Sequence, residues 1–168
     1  MFRLLWHHLA KTPPSPPIAA AQTDGHAGEA VLVRPLPDGW CGTSVHMRHV
    51  DCGSCNGCDW ELSALLNPVY DIQRYGLDFV ASPRHADLLL VTGSVTRHLQ
   101  EALTMTYEAT PDPKVVVAVG DCACGAGPFS GAYACGTGAE DHVPVHLKIP
   151  GCPPSPAMII AALRALLK

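Results

Sequence analysis

Residues 86–93 (ADLLLVTG) and 113–122 (PKVVVAVGDC) each contain an apolar run without polar alternation, and each run is closed by glycine. A strand with one wet face alternates polar and apolar residues, because successive side chains point to opposite faces. A run that is apolar at every position fits a strand covered on both faces, as in a parallel sheet flanked by helices. Residues 44–50 (SVHMRHV) and 143–152 (VPVHLKIPGC) read as further strands, and 77–82 (LDFVAS) as a short strand or connector. Helical stretches fall between them. Residues 60–66 are ended by Asn67-Pro68, and residues 96–107 place Leu99, Leu103 and Met105 among their apolar positions. Residues 155–167 have Ser155 suited to the N-cap and Pro156 to the first turn.

Strands alternating with helices predict an α/β fold. At 168 residues the chain suits one domain. The expectation is a single flavodoxin-like domain over residues 44–168, with a mainly parallel sheet of four or five strands. Residues 1–43 read as a short N-terminal helix followed by a Pro/Ala/Gly-rich tether. The helix, residues 2–10, sets Phe2, Leu5, Trp6 and Leu9 on one side, as a foot on a membrane subunit or as a helix packed on its own domain.

Charged residues make up only 15% of the chain against 48% apolar, and the net charge is −4. That balance, with no Lys/Arg cluster, argues against a nucleic-acid partner. The low charge density suggests a surface covered by other subunits. No run of eighteen apolar residues reads as a membrane span, and neither a secretory leader nor a twin-arginine pair is visible.

Eight cysteines stand at 41, 52, 55, 58, 122, 124, 135 and 152. Clustered thiols in a chain with no secretory signal favour metal binding over disulfides. Residues 51–61 (DCGSCNGCDWE) open like a ferredoxin loop, but Leu62 stands where its fourth cysteine would. In parallel α/β sheets, sites form at the carboxyl ends of strands. Cys52–Cys58, Cys122 and Cys152 each follow a strand there, so thiols distant in sequence converge on one sheet edge. Four thiolates suit a four-iron cluster. They also suit zinc in an interaction module, although zinc sites usually pair two C-x2-C loops and one is present.

GSCNGCDWE, DLLLVTGSVT, PKVVVAVGDCA and PGCPPSP occur in this order. With their spacing, they resemble the small electron-transfer subunit shared by respiratory complex I and the nickel–iron hydrogenases, over residues 45–168. Complex I members carry adjacent cysteines where this chain has Gly57-Cys58. Hydrogenase members carry C-x2-C, here Cys55 and Cys58, so the chain is most similar to membrane-bound, energy-converting hydrogenases and formate hydrogenlyase. The resemblance implies one 4Fe–4S cluster on Cys55, Cys58, Cys122 and Cys152, with Cys52 as the rival ligand. It implies electron relay between a ferredoxin-like iron–sulfur subunit and a large catalytic subunit, beside membrane subunits, on the cytoplasmic face of the membrane. The large subunit would be of hydrogenase or complex I 49 kDa type. In the complex I-type alternative, electrons pass to quinone. The chain would then be a non-catalytic subunit of an oxidoreductase.

Glu61, three residues after Cys58, matches a glutamate of the family. It reads as a proton-carrying or potential-tuning carboxylate, or as a first-turn acid favoured by the helix dipole. Asp121 beside Cys122 carries the same two readings. Cys41 and Cys135 read as small buried hydrophobes, and Cys124 as a neighbour of the ligands. The glycines at 120, 125, 127 and 131 are not followed by Lys-Ser/Thr, so they do not make a phosphate loop. No flavin loop is evident either.

Overall fold

In the computed structural model, residues 29–40 and 42–167 are described. Six strands form one sheet: β1 (Val31–Leu32), β2 (Val45–Asp51), β3 (Leu77–Phe79), β4 (Leu88–Thr92), β5 (Val115–Val119) and β6 (Leu147–Ile149). Their spatial order is β1-β6-β5-β4-β2-β3. β1 is antiparallel to β6, and the other pairs are parallel. Counted among themselves, the five parallel strands run 2-1-3-4-5, the flavodoxin-like order, whose topological switch point lies between β2 and β4.

The two continuous apolar runs behave as expected. Every residue of β4 and of β5 is buried. Leu88, Leu90, Val115, Val117 and Val119 pack on one face with Leu62, Ile72, Ile159 and Leu163. Leu89, Val91, Val116 and Ala118 pack on the other with Leu103, Val143 and Val145. Alternate residues of one strand thus feed two cores, and full burial of a Leu or Val side chain contributes about 1.5–3 kcal/mol.

The stretch at 77–82, read as a short strand or connector, forms β3, and the sheet holds one further short strand that periodicity did not resolve. Val31–Leu32 lies within the stretch that the sequence reading gave to the tether, yet it pairs with Lys148 and Leu147. Nearby, Trp40 is buried and its indole N–H donates to the Leu166 carbonyl at 3.0 Å. A strand of two residues has no period to detect. The helix expected over residues 2–10, and Cys41, lie outside the described residues.

Boundaries move for identifiable reasons. Helix α1 (Gly57–Ala64) begins inside the cysteine loop, because Asn56 takes a left-handed conformation and turns the chain into the helix. Helix α2 (Gln100–Ala109) begins four residues later than expected. Thr96 instead donates its N–H to the Cys52 carbonyl and bridges Cys135. The ladder of β6 begins only at Leu147, and just before it the Val116 N–H donates to the His146 ring Nδ1 at 3.1 Å instead of to a strand carbonyl. A four-residue helix, α3 (Asp121–Cys124), follows β5 directly. The closing helix α4 (Pro156–Arg164) has the expected start, with Ser155 Oγ accepting the Met158 N–H.

Candidate iron–sulfur site

Three loops meet at the carboxyl edge of the sheet. The first leaves β2 at the switch point and carries Cys52, Cys55 and Cys58 into α1. The second carries Cys122 into α3 directly after β5, and the third carries Cys152 between β6 and α4. Cys55 and Cys152 are exposed, and Cys58 and Cys122 are half-buried.

Electrostatics identifies which thiols face one another. Burial first, and then the neighbouring Cys122, Cys55, Asp59 and Cys152, together push the Cys58 thiol up to about 12. Burial likewise raises Cys122, with Cys152, Cys55, Asp121 and Cys135 adding to it. Cys55, Cys58, Cys122 and Cys152 are therefore brought together, and each disfavours the thiolate of the others. Such a set is stable as thiolates only around a cationic group.

Cys52 stands apart. It is buried to 0% exposure in the core with Leu89, Val91 and Val95. Its N–H donates to the Thr92 carbonyl at 2.9 Å. Burial first, and Asp51 second, push it up to about 12, and none of the other described thiols is among the causes. The even C-x2-C-x2-C spacing hides this difference, because Gly53 and Ser54 turn the chain between Cys52 and Cys55. Asp51 holds that turn, its Oδ1 accepting N–H bonds from Gly53 at 2.9 Å and Ser54 at 2.8 Å.

Two glycines make room for sulfur. Gly120 has φ +89°, and a Cβ there would come within 2.4 Å of Cys58 Sγ. A Cβ at Gly127 would come within 2.5 Å of Cys122 Sγ. The first position demands glycine twice, for its left-handed backbone and for the thiol that lies against it. We expect Gly120→Ala to cost a few kcal/mol, about 1–3 from backbone strain alone. It should also displace Cys58. Thermal unfolding together with iron content checks both effects.

The donor set fits an iron–sulfur cluster: four thiols from three loops, glycine clearance beside two of them, and mutual destabilisation of the free thiolates. A single zinc ion takes the same kind of ligand. Around zinc, with Zn–S bonds of about 2.3 Å, the sulfurs would crowd within about 4 Å of one another. Among the described residues, no three His, Cys, Asp or Glu side chains gather tightly enough to hold one metal ion.

Glu61 sits half-buried on α1 and makes no hydrogen bond or ion pair among the described residues. Asp59, two positions earlier, is the carboxylate that organises the loop. Its Oδ2 accepts the Ser54 hydroxyl at 2.6 Å and its Oδ1 the Thr92 hydroxyl at 2.9 Å. His49 Nε2 lies 3.0 Å from the same Oδ1 and 2.9 Å from Thr92 Oγ1. Burial lowers the His49 pKa and outweighs the upward pull of Asp59 and Asp51. The contact is therefore a hydrogen bond involving a neutral imidazole rather than an ion pair. His49 and Asp59 line a cavity of about 200 Å3 with Leu62, Ser63, Leu66 and Phe79. The sequence signal for this group is a lone threonine ending the otherwise apolar LLLVT run, beside an aspartate next to a cysteine.

The remaining thiols have other surroundings. Burial pushes Cys124 up to about 11, and its thiol lies 3.7 Å from the Ala118 carbonyl. Cys135 is half-buried rather than fully buried, in the loop beside Cys122.

The family model described as NADH ubiquinone oxidoreductase, 20 Kd subunit, matches residues 55–166. The chain belongs to this family. The match begins at Cys55 and spans all four converging thiols but not Cys52. Among relatives of the family, the chain is 47% identical to the probable membrane-bound hydrogenase subunit mbhJ of Pyrococcus furiosus, over 71% of each chain. It is 45% identical to formate hydrogenlyase subunit 7 of Escherichia coli, over 68% of this chain and 45% of that one. A chain from the structure of the membrane-bound sulfane sulfur reductase, an archaeal respiratory membrane complex, superposes with a TM-score of 0.66. That match is 33% identical and covers 74% of this chain and 69% of the other. The relatives so named are subunits of oxidoreductase complexes. No described helix is long and apolar enough to cross a membrane.

Proposed function

We propose that this chain is a non-catalytic electron-transfer subunit of a membrane-bound hydrogenase-type complex, holding one 4Fe–4S cluster on Cys55, Cys58, Cys122 and Cys152. The observation that carries the reading is the convergence of these four thiols at the carboxyl edge of the sheet, with Cys52 packed into the core. The relatives named as hydrogenase and formate hydrogenlyase subunits support the hydrogenase-type setting over a quinone-reducing one. In that setting the chain sits peripherally on the cytoplasmic face of the membrane. It receives electrons from a ferredoxin-like subunit and passes them to the large catalytic subunit.

When bound, such a cluster supplies a one-electron store whose potential depends on its hydrogen bonds and burial. The chain's own residues do the rest. The thiols hold it, Cys58 and Cys122 from the buried side and Cys55 and Cys152 from the exposed side. Gly120 and Gly127 keep side chains from displacing Sγ. The exposed pair leaves the site open toward a partner, which shortens the path an electron travels between subunits.

The test is the complex purified with its large subunit, without air. About four irons and four sulfides per chain are expected, with broad visible absorption bleached by dithionite and an EPR signal appearing on reduction. A colourless chain holding one zinc would overturn the reading.

A further inference from the structure

Each of the four thiols has a neighbour in sequence that is hydrogen-bonded to the neighbour of another. Ser54 precedes Cys55 and Asp59 follows Cys58, and the Ser54 hydroxyl donates to Asp59 Oδ2 at 2.6 Å. Asp121 precedes Cys122 and Gly151 precedes Cys152, and the Gly151 N–H donates to Asp121 Oδ1 at 2.7 Å. We propose that Asp59 and Asp121 are positioning residues that set the spacing of the four thiols, each joining the residues beside two of them. This rests on the reading of those thiols as cluster ligands.

The chemistry of the third loop shows why a carboxylate is needed there. In residues 150–154 (PGCPP) only Gly151 and Cys152 have an N–H. A strand ladder cannot hold such a segment. Gly151 is buried, so its N–H requires a partner, and an unpaired one costs about 1–3 kcal/mol. Asp121 supplies that partner, and its own N–H donates back to the Gly151 carbonyl at 2.9 Å. The two bonds close a ring between the residue before Cys122 and the residue before Cys152. A bond to a charged acceptor is stronger and shorter than a neutral one, so the ring fixes spacing as well as contact.

Asp59 does the same for the first loop and also ties it to the sheet. Its Oδ1 accepts from Thr92 at the end of β4. Ser54 Oγ in turn accepts the Asn56 N–H at 3.1 Å, inside the turn between Cys55 and Cys58. The loop that bears two thiols is thereby fastened at the switch point through one carboxylate. Glu61 has no such contacts, so the acid with organising contacts is Asp59.

The variants Asp121→Ala, Asp121→Asn, Asp59→Ala and Ser54→Ala, each in the complex with its large subunit, test this. Three readouts apply: iron and sulfide per chain, the EPR line shape of the reduced protein, and the rate of iron loss to a ferrous chelator. Asp121→Ala and Asp59→Ala should lose iron about 10- to 100-fold faster than the parent, the range typical for removing a residue that orients a metal ligand. Their EPR lines should broaden or shift. Asp121→Asn should return to near the parent rate, because the amide oxygen still accepts the Gly151 N–H. Ser54→Ala removes one oxygen and should reproduce part of the Asp59→Ala effect, which keeps the test alive if Asp59→Ala does not assemble.

Parent-like iron retention and EPR in both alanine variants of the aspartates would overturn the proposal. So would an Asp121→Asn variant as defective as Asp121→Ala, since a lost hydrogen bond would then not be the cause. A parent complex without an iron–sulfur signal would instead overturn the ligand reading itself, and this inference with it.

Discussion

Cys58→Ala, made in the assembled complex, is expected to abolish the iron–sulfur EPR signal of the reduced subunit, while Cys52→Ala keeps it. Cys58 is surrounded by the other three converging thiols and lies against Gly120. Removing it takes away a thiol held from the buried side of the group. Cys135 adds to the shift of Cys122 and is not among the groups that raise Cys58. Cys52→Ala removes a packed core sulfur instead. Its expected cost is on the order of 1 kcal/mol of stability, typical of a single core substitution. Loss of the signal in Cys52→Ala with retention in Cys58→Ala would reverse the assignment.

The second large effect concerns the partner. Produced alone, the chain should lose its iron in air, and with the large subunit bound it should keep it. Cys55 and Cys152 are exposed, so solvent and oxygen reach the site from that side. The thiol-bearing segments also carry large exposed apolar side chains: Trp60 on α1 at 74%, and Phe129 and Tyr133 after α3 at 53% and 87% exposure. Aromatic residues clustered around a weakly charged surface characterise the buried centre of protein interfaces. With the partner at about 100 times its Kd, mass action lowers the open population, and with it the rate of iron loss, about 100-fold. Iron content followed over time in air, with and without the large subunit, measures this. Equal loss in both would show that the exposed thiols are not the covered face.

The sequence made much of this arrangement legible, for physical reasons. β4 and β5 were readable because a strand buried on both faces carries an unbroken apolar signature. The convergence of thiols followed from topology, since three cysteine-bearing loops leave the carboxyl ends of parallel strands. Their separation into a converging four and a buried Cys52 was not readable from spacing. It depends on how Gly53 and Ser54 turn on the Asp51 carboxylate. The role of Asp59 was hidden for a similar reason. Its partner Thr92 comes into reach only through the β2–β4 register, which sets Asp51 opposite Thr92. Glu61 stood at the spacing that the family resemblance singled out, yet the contacts belong to its shorter neighbour.

Both margins of the sheet are very short strands, Val31–Leu32 beyond β6 and Leu77–Phe79 beyond β2. Unpaired N–H and C=O rows on a long margin invite other chains to add as strands, and short margins remove that invitation. Here the protection is also local to the cysteines. β6 delivers Cys152, and its outer ladder is occupied by β1, reinforced by the Val33 and Arg34 N–H groups on the His146 carbonyl at 2.7 and 3.2 Å. A chain shortened past residue 32 would leave that ladder open to a stranger's strand, next to the loop that must stay free for the rightful partner. Residues 31–34 thus occupy the outer ladder of β6 and leave only a two-residue strand as that margin of the sheet.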